Sequence, residues 1–331
     1  MKQIMILFSI ALLVLVRPTS AQQESSFKHL IDIGSGRHLN MICVGKGSPT
    51  VVFLQGHTGN ITDWRMVRGP VSAFTRSCFY DRAGMGFSDP STKSMTAENV
   101  ADDLHALLRA AKIEGPVVLV GHSLGGLFAT FYADKFPSTL AGLVLVDPSF
   151  SGQFDYMVGP NDRKIITQDN DHWDSLLMTC EKLAQADQLS KDDNHDCFHA
   201  RTNLTPEETD YVTSQFYRPS YYASLRSEYE NFDVVKSAAP PDGEQERRLA
   251  HPFGNMPLEV LTAELTFSGA TVSGTGRKTI EAVWRSGHDK LAQRSKRGES
   301  IMIANSHHFI QLDQPDAVVS AIRKVVLEAR Q

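Results

Sequence analysis

One short turn constrains this chain more than any other stretch: Gly121-His122-Ser123-Leu124-Gly125, directly after the apolar run at residues 116–120. The β-forming residues before it and Gly126-Leu127-Phe128-Ala129-Thr130-Phe131 after it predict a strand that reverses sharply into a helix. Such a reversal forces its central residue into strained backbone geometry, and flanking glycines let the two elements pass close together. The serine hydroxyl is then left at the rim of a sheet, with the next N–H at a helix N-terminus. Gly-x-Ser-x-Gly also recurs by chance as an ordinary glycine-rich turn. The deciding question is whether the chain supplies the partners that such a serine needs.

The chain has 331 residues, enough for one large α/β domain or a domain with an insertion. A formal net charge of -5 and the lack of any basic stripe argue against nucleic acid as a partner. The short cluster Lys290, Arg294, Lys296, Arg297 reads as a solvated helix face. At the start, Lys2, an apolar stretch at residues 4–16 and Thr19-Ser20-Ala21 have the order of a cleaved secretory signal covering residues 1–21. An uncleaved anchor is the alternative, but the run falls short of the ~20 apolar residues of a spanning helix. No other stretch is apolar enough to span a bilayer, so a secreted or periplasmic location is expected. In an oxidising compartment four cysteines suggest disulfides, Cys43 with Cys78 and Cys180 with Cys197. Four cysteines allow three connectivities, and spacing alone does not choose.

Along the chain, residues 28–44 read as two short strands around Gly34-Ser35-Gly36. The continuous apolar runs at 50–54, 116–120 and 143–146 are marks of strands buried on both faces. Thr96 is a predicted N-cap for a helix carrying Val100, Leu104, Leu107 and Leu108 on one side. The Gly84-Met85-Gly86 pair lacks the third glycine and the helix start of a dinucleotide loop, and reads as a turn packed against the serine-bearing strand. Between residues 150 and 255 the alternation stops, and this stretch reads as a mostly helical cap, with a loop at 238–243. Tyr217, Tyr221, Tyr222 and Phe232 either line a pocket there or pack the cap's own core. Strand at 257–262, helix at 284–295, strand at 300–304 and a terminal helix after Pro315 complete the pattern. Alternation of this kind predicts a parallel sheet covered on both faces, with active residues at the strands' C-terminal ends.

A serine hydroxyl needs a base to take its proton, and the base needs a third group to hold it. The chain offers serine, acid and histidine in that order, each just past a predicted strand. His308 is the expected base; its neighbour His307 is the rival, since adjacent side chains cannot both face one serine. For the acid, Asp147 is favoured over Glu264 because it is shorter and ends a buried strand directly. The oxyanion donors expected are the backbone N–H groups of Leu124 and His57, which leaves the His57 and His122 rings out of proton transfer. Asp192, Asp193, His195, Cys197 and His199 fit no standard ligand spacing, so no metal is expected. Asn60-Ile61-Thr62 and Asn203-Leu204-Thr205 match glycan acceptor patterns and are read as unoccupied in a non-eukaryotic host.

Together, Gly121-His122-Ser123-Leu124-Gly125-Gly126, the run from Tyr80 through Asp81-Arg82-Ala83-Gly84-Met85-Gly86-Phe87 to Ser88, and Ser306-His307-His308 with Asp313-Gln314-Pro315 resemble the α/β-hydrolase superfamily. The resemblance implies an α/β fold with an eight-stranded, mostly parallel sheet as core (22–149 and 256–331), an inserted helical cap (150–255), and a serine–acid–histidine hydrolase with no cofactor. It also makes the strands holding Cys43 and Cys78 neighbours. Two departures stand out. Gln55-Gly56 replaces the usual His-Gly, and Thr262-Ala263-Glu264-Leu265-Thr266 replaces the usual Gly-x-x-Asp loop, which again directs attention to Asp147. Ser123 excludes the aspartate-nucleophile chemistry of epoxide-opening and dehalogenating relatives. The expected activity is that of a secreted serine carboxylesterase acting on a small-molecule ester. The alternatives are an amidase, peptidase or lactonase on the same residues, or a ligand-binding protein that keeps the fold.

Overall fold

The computed structural model describes residues 25–153, 160–190, 196–198, 201–232, 241–268 and 274–331; for 160–170 and 274–275 it describes the backbone alone. The expected signal segment 1–21 and Asp192, Asp193, His195 and His199 lie outside the described residues.

Eight strands form one sheet: β1 Leu30–Gly34, β2 Arg37–Val44, β3 Val51–Leu54, β4 Ser77–Tyr80, β5 Val117–His122, β6 Leu140–Val146, β7 Leu258–Ala263 and β8 Gly298–Ile303. Their spatial order is β1-β2-β4-β3-β5-β6-β7-β8. The β1–β2 and β2–β4 pairs are antiparallel and the rest run parallel, as expected of an α/β-hydrolase fold. Every residue of β3, β4, β5 and β7 is buried, which is what continuous apolar runs achieve when helices cover both faces. Strand pleating sorts the side chains. Val52, Leu54 and Leu119 join one core with helices α2 Ala97–Ala110 and α3 Leu124–Lys135, whereas Val51, Phe53, Val118 and Val120 join the other. That second core also takes residues of α1 Arg65–Ser72 and of the terminal helix. Each such Val, Leu or Phe contributes roughly 1.5–3 kcal/mol by leaving water.

Between β6 and β7 the chain forms α4 Pro160–Gln185, α5 Pro206–Phe216, α6 Pro219–Phe232 and α7 Pro241–Leu249. Tyr221 and Tyr222 are buried in the core, while Tyr217 is exposed. Beyond β7 follow α8 Gly274–Ala292, α9 Ile310–Asp313 and α10 Pro315–Ala329. No described helix is long and apolar enough to cross a membrane.

Three expectations need correction, and one expected turn has further partners. Residues 241–243 open a helix rather than belonging to a loop: Pro241 suits the first turn, and buried Asp242 accepts a hydrogen bond from Ala97 N, so that α7 caps α2. Helix α8 begins well before Trp284, because Ile280 and Val283 pack on the core and outweigh the weak helix propensity of Gly274-Thr275-Gly276. The Gly84-Met85-Gly86 turn packs under α6: Ser220 Oγ donates to Gly84 O and Ser224 Oγ to Ala83 O. Arg294 is no solvated charge, since it pairs with Asp134 and lies over the Phe253 ring.

Both disulfides join the expected cysteines. Cys43 and Cys78 face each other across β2 and β4, with Cα atoms 4.1 Å apart, and Cys180–Cys197 ties α4 to the segment before α5, at 5.6 Å. Asn60 is buried and its side chain caps the turn at 61–64, so the first glycan pattern is closed to solvent; Asn203 is exposed.

Candidate active site

Ser123 sits where β5 turns into α3, with φ 52° and ψ −125°. This is a sterically costly conformation for a residue with a Cβ, held here by the elements on either side. A Cβ at Gly121 would strike the Gly125 carbonyl, and one at Gly125 would strike the carbonyls of Leu54 and Gln55. Only glycine therefore allows strand, turn and helix to cross this closely. Ser123 N donates to Val146 O at 3.2 Å and Ser123 O accepts from Ser149 N at 2.9 Å, so β6 and its continuation clamp the turn. The N–H of Leu124 is the first of α3, and helix geometry leaves it without an intrahelical acceptor.

Asp147 follows β6 directly, at φ 42°, and its side chain is fully buried. Its carboxylate receives four donors. Oδ1 accepts from Ala263 N at 3.0 Å and Trp284 Nε1 at 2.8 Å. Oδ2 accepts from Thr266 Oγ1 at 2.6 Å and lies 2.7 Å from His308 Nδ1. Burial by itself would raise this carboxyl, but the hydrogen bond and charge of His308, with His288 and Thr266, outweigh it and hold Asp147 below its ordinary value. A carboxylate accepts, so the His308 Nδ1 carries a proton and donates it to Asp147. The ring is half-buried, and its centroid lies 4.6 Å from that of His122, the residue before the serine.

The rivals face elsewhere. His307 is exposed and pairs with Asp313 at 3.1 Å. Glu264 is exposed, and its Oε2 accepts from Asn305 N at 2.9 Å, at the start of the loop that carries His308. Sequence reading missed Thr266, Trp284 and His288. His288 is buried: desolvation lowers its pKa, Nε2 donates to Pro148 O at 2.8 Å, and Nδ1 lies 2.7 Å from Thr262 Oγ1. Trp284 and His288 are four apart on α8 and so share a face, a signal the sequence does carry.

On the other side of the serine, Gly56 approaches so closely that a Cβ there would lie 3.0 Å from Ser123 Cβ. Gln55 is buried and donates from Nε2 to Tyr80 O at 3.1 Å. The His57 ring makes its contact at Nδ1, 3.2 Å from Glu228 Oε2. The described residues include no group of His, Cys, Asp and Glu able to hold a metal ion.

The sequence profile described as "Alpha/beta hydrolase family" matches residues 51–321, most of the chain. The chain belongs to the alpha/beta hydrolase family. An uncharacterized Bacillus subtilis protein, YqjL, is 25% identical over 281 residues, 85% of each chain. Two further curated relatives are matched over 18% and 21% of their own lengths. The fold is similar to that of an esterase from Thermogutta terrifontis, at 19% identity and a TM-score of 0.59, covering 92% of this chain and 99% of that one. It is similar too to Est816, described as an N-acyl homoserine lactone degrading enzyme, at 19% identity and a TM-score of 0.58, covering 90% of this chain and 100% of that one.

Proposed function

We propose that this member of the alpha/beta hydrolase family is a secreted serine carboxylesterase that cleaves a small-molecule ester through an acyl-serine intermediate. The observation that carries the reading is the 2.7 Å contact between His308 Nδ1 and a buried, four-times hydrogen-bonded Asp147, at the end of the sheet that also holds the strained Ser123. In this reading His308 Nε2 takes the proton as Ser123 Oγ attacks the ester carbonyl. The tetrahedral oxyanion is met by the N–H groups of Leu124 and His57. The intermediate collapses, the alcohol leaves with the proton from His308, and water releases the acid by the reverse route. Asp147 orients the ring and stabilises its transient positive charge.

The residues between β6 and β7 act as a cap over this rim, with 22–149 and 256–331 as the core. Two disulfides support an oxidising compartment, in keeping with a signal segment at 1–21.

The test is hydrolysis of short p-nitrophenyl esters by purified protein, with labelling by a fluorophosphonate. Ser123→Ala is expected to abolish both at an unchanged melting temperature. Undiminished turnover in that variant, or no turnover and no labelling in the wild type, removes the reading.

A further inference from the structure

Arg82, in the loop after β4, and Glu228, on α6, form an ion pair buried at 1% and 0% exposure. Its two hydrogen bonds are Arg82 Nε to Glu228 Oε1 at 2.5 Å and Nη2 to Oε2 at 3.0 Å. The remaining polar contacts of the pair end on a single segment, residues 55–57. Arg82 Nη1 donates to Gln55 O at 2.5 Å, Nη2 donates to Gly56 O at 3.0 Å, and Glu228 Oε2 lies 3.2 Å from His57 Nδ1. A trans peptide unit points its C=O and N–H in opposite directions. Anchoring Gly56 O on Arg82 therefore turns the His57 N–H to the opposite side of the loop, away from the guanidinium. A Cβ on Gly56 would lie 3.0 Å from Ser123 Cβ, so this segment passes close beside the serine.

We propose that Glu228 is a positioning residue: through Arg82 and His57 it sets the orientation of the 56–57 peptide, and with it the aim of one oxyanion donor. This rests on the hydrolase reading above. The chemistry follows from what each partner can do. Arg82 donates to both carbonyl oxygens in fixed fork geometry, and Gly56 O also accepts from Gly59 N at 3.1 Å. An unpaired buried guanidinium is unfavourable, and Glu228 neutralises it. Burial pushes against ionisation of Glu228, yet the Arg82 charge and the hydrogen bonds from His57 and Arg82 prevail and hold its carboxyl below the ordinary value. The segment inserted between β6 and β7 thus takes part in shaping a loop of the sheet's rim. Ser224 and Ser220, also on α6, reinforce the join through the carbonyls of Ala83 and Gly84.

The test compares wild type with Glu228→Gln, which keeps the side chain's size and removes its charge. Active sites are counted by end-point fluorophosphonate labelling, so that kcat is expressed per labelled serine. The expected result is a loss of about 10–100-fold in kcat on p-nitrophenyl butyrate, somewhat less than deletion of an oxyanion donor. KM should stay within about threefold. Affinity for a trifluoromethyl ketone, to which Ser123 Oγ adds to give a hemiketal oxyanion, should fall in parallel with kcat/KM. A merely structural pair would lower the melting temperature or the labelled fraction and leave per-site kcat and ketone affinity alone; a per-site kcat within threefold of wild type overturns the proposal. If Glu228→Gln fails to fold, Arg82→Gln combined with Glu228→Gln leaves no uncompensated charge and is judged by the same threefold limit. A wild type that neither turns over nor labels removes the hydrolase reading and this proposal together, whereas an active wild type with an unimpaired variant removes this proposal alone.

Discussion

His122 Nε2 lies 2.9 Å from the backbone carbonyl oxygen of His308, so the residue before the proposed nucleophile holds the loop that carries the proposed base. A carbonyl only accepts, and Nε2 is therefore the protonated nitrogen of His122. Burial, with the nearby His308 charge, pushes His122 down to about 3, so the ring stays neutral at any pH at which the protein would work. His122→Ala would leave that carbonyl without its donor, at a cost of about 1–3 kcal/mol. The expected outcome is a fall of about tenfold in kcat with labelling of Ser123 retained at a lower rate. A kcat within twofold of wild type would show that the His308 loop keeps its place unaided.

The choice between the two candidate acids can be read from a pair of variants. Asp147→Asn should lower kcat by up to about 10⁴-fold, the effect of presenting an amide where the imidazole needs a carboxylate. Glu264→Gln should leave kcat within about twofold, because Glu264 is exposed and engaged with Asn305 N. Steady-state rates on one ester decide it, and a larger loss in the glutamate variant would reverse the assignment.

Glu246 on α7 links stability to pH. Burial lifts its carboxyl from an ordinary 4.5 to about 7 despite the pull of Arg294. A carboxyl raised in the folded state binds its proton more tightly there than in the unfolded chain. Its contribution to stability is complete below the unfolded value and is lost as pH rises toward and through 7. Glu246→Gln, which can still accept the hydrogen bond from Ser151 N, removes that slope. Thermal unfolding at pH 5 and pH 8 should show the variant gaining about 1–3 kcal/mol relative to wild type at the higher pH. Equal slopes in the two proteins would contradict this.

The Cys180–Cys197 disulfide closes a loop of sequence separation 17. Replacing both cysteines with serine should cost about 2–4 kcal/mol, mainly by freeing the unfolded chain. Limited proteolysis should then cut between α4 and α5 sooner than in wild type, while residues of the eight-stranded sheet stay protected. Unchanged cleavage kinetics would mean that packing alone secures that region.

Much of the architecture was legible because it rests on local pattern. Runs such as Val51-Val52-Phe53-Leu54 have few alternatives to a doubly covered strand, and glycines around Ser123 admit a reversal that other residues would block. Helices were harder. Gly274-Thr275-Gly276 and Pro241-Asp242-Gly243 look like breaks, since the packing of Ile280 on the core and the cap that Asp242 gives to α2 are contacts with distant residues. The supports of the site were harder still: Trp284, Thr266 and Ala263 converge on Asp147 from two further segments.

By itself the amino-acid sequence determined a covered parallel sheet, a strained serine at the end of one strand and a histidine past the last one. These depend on periodicity, steric size and chain order, which any stretch carries within itself. Tertiary structure alone decided that Asp147 and not Glu264 lies behind His308, that His122 holds the His308 carbonyl, and that Glu228 reaches Arg82 and the Gly56 loop from α6. Each of these is a choice between groups of equal chemistry. Only the relative placement of separately folded segments, to within a hydrogen-bond length, can make it.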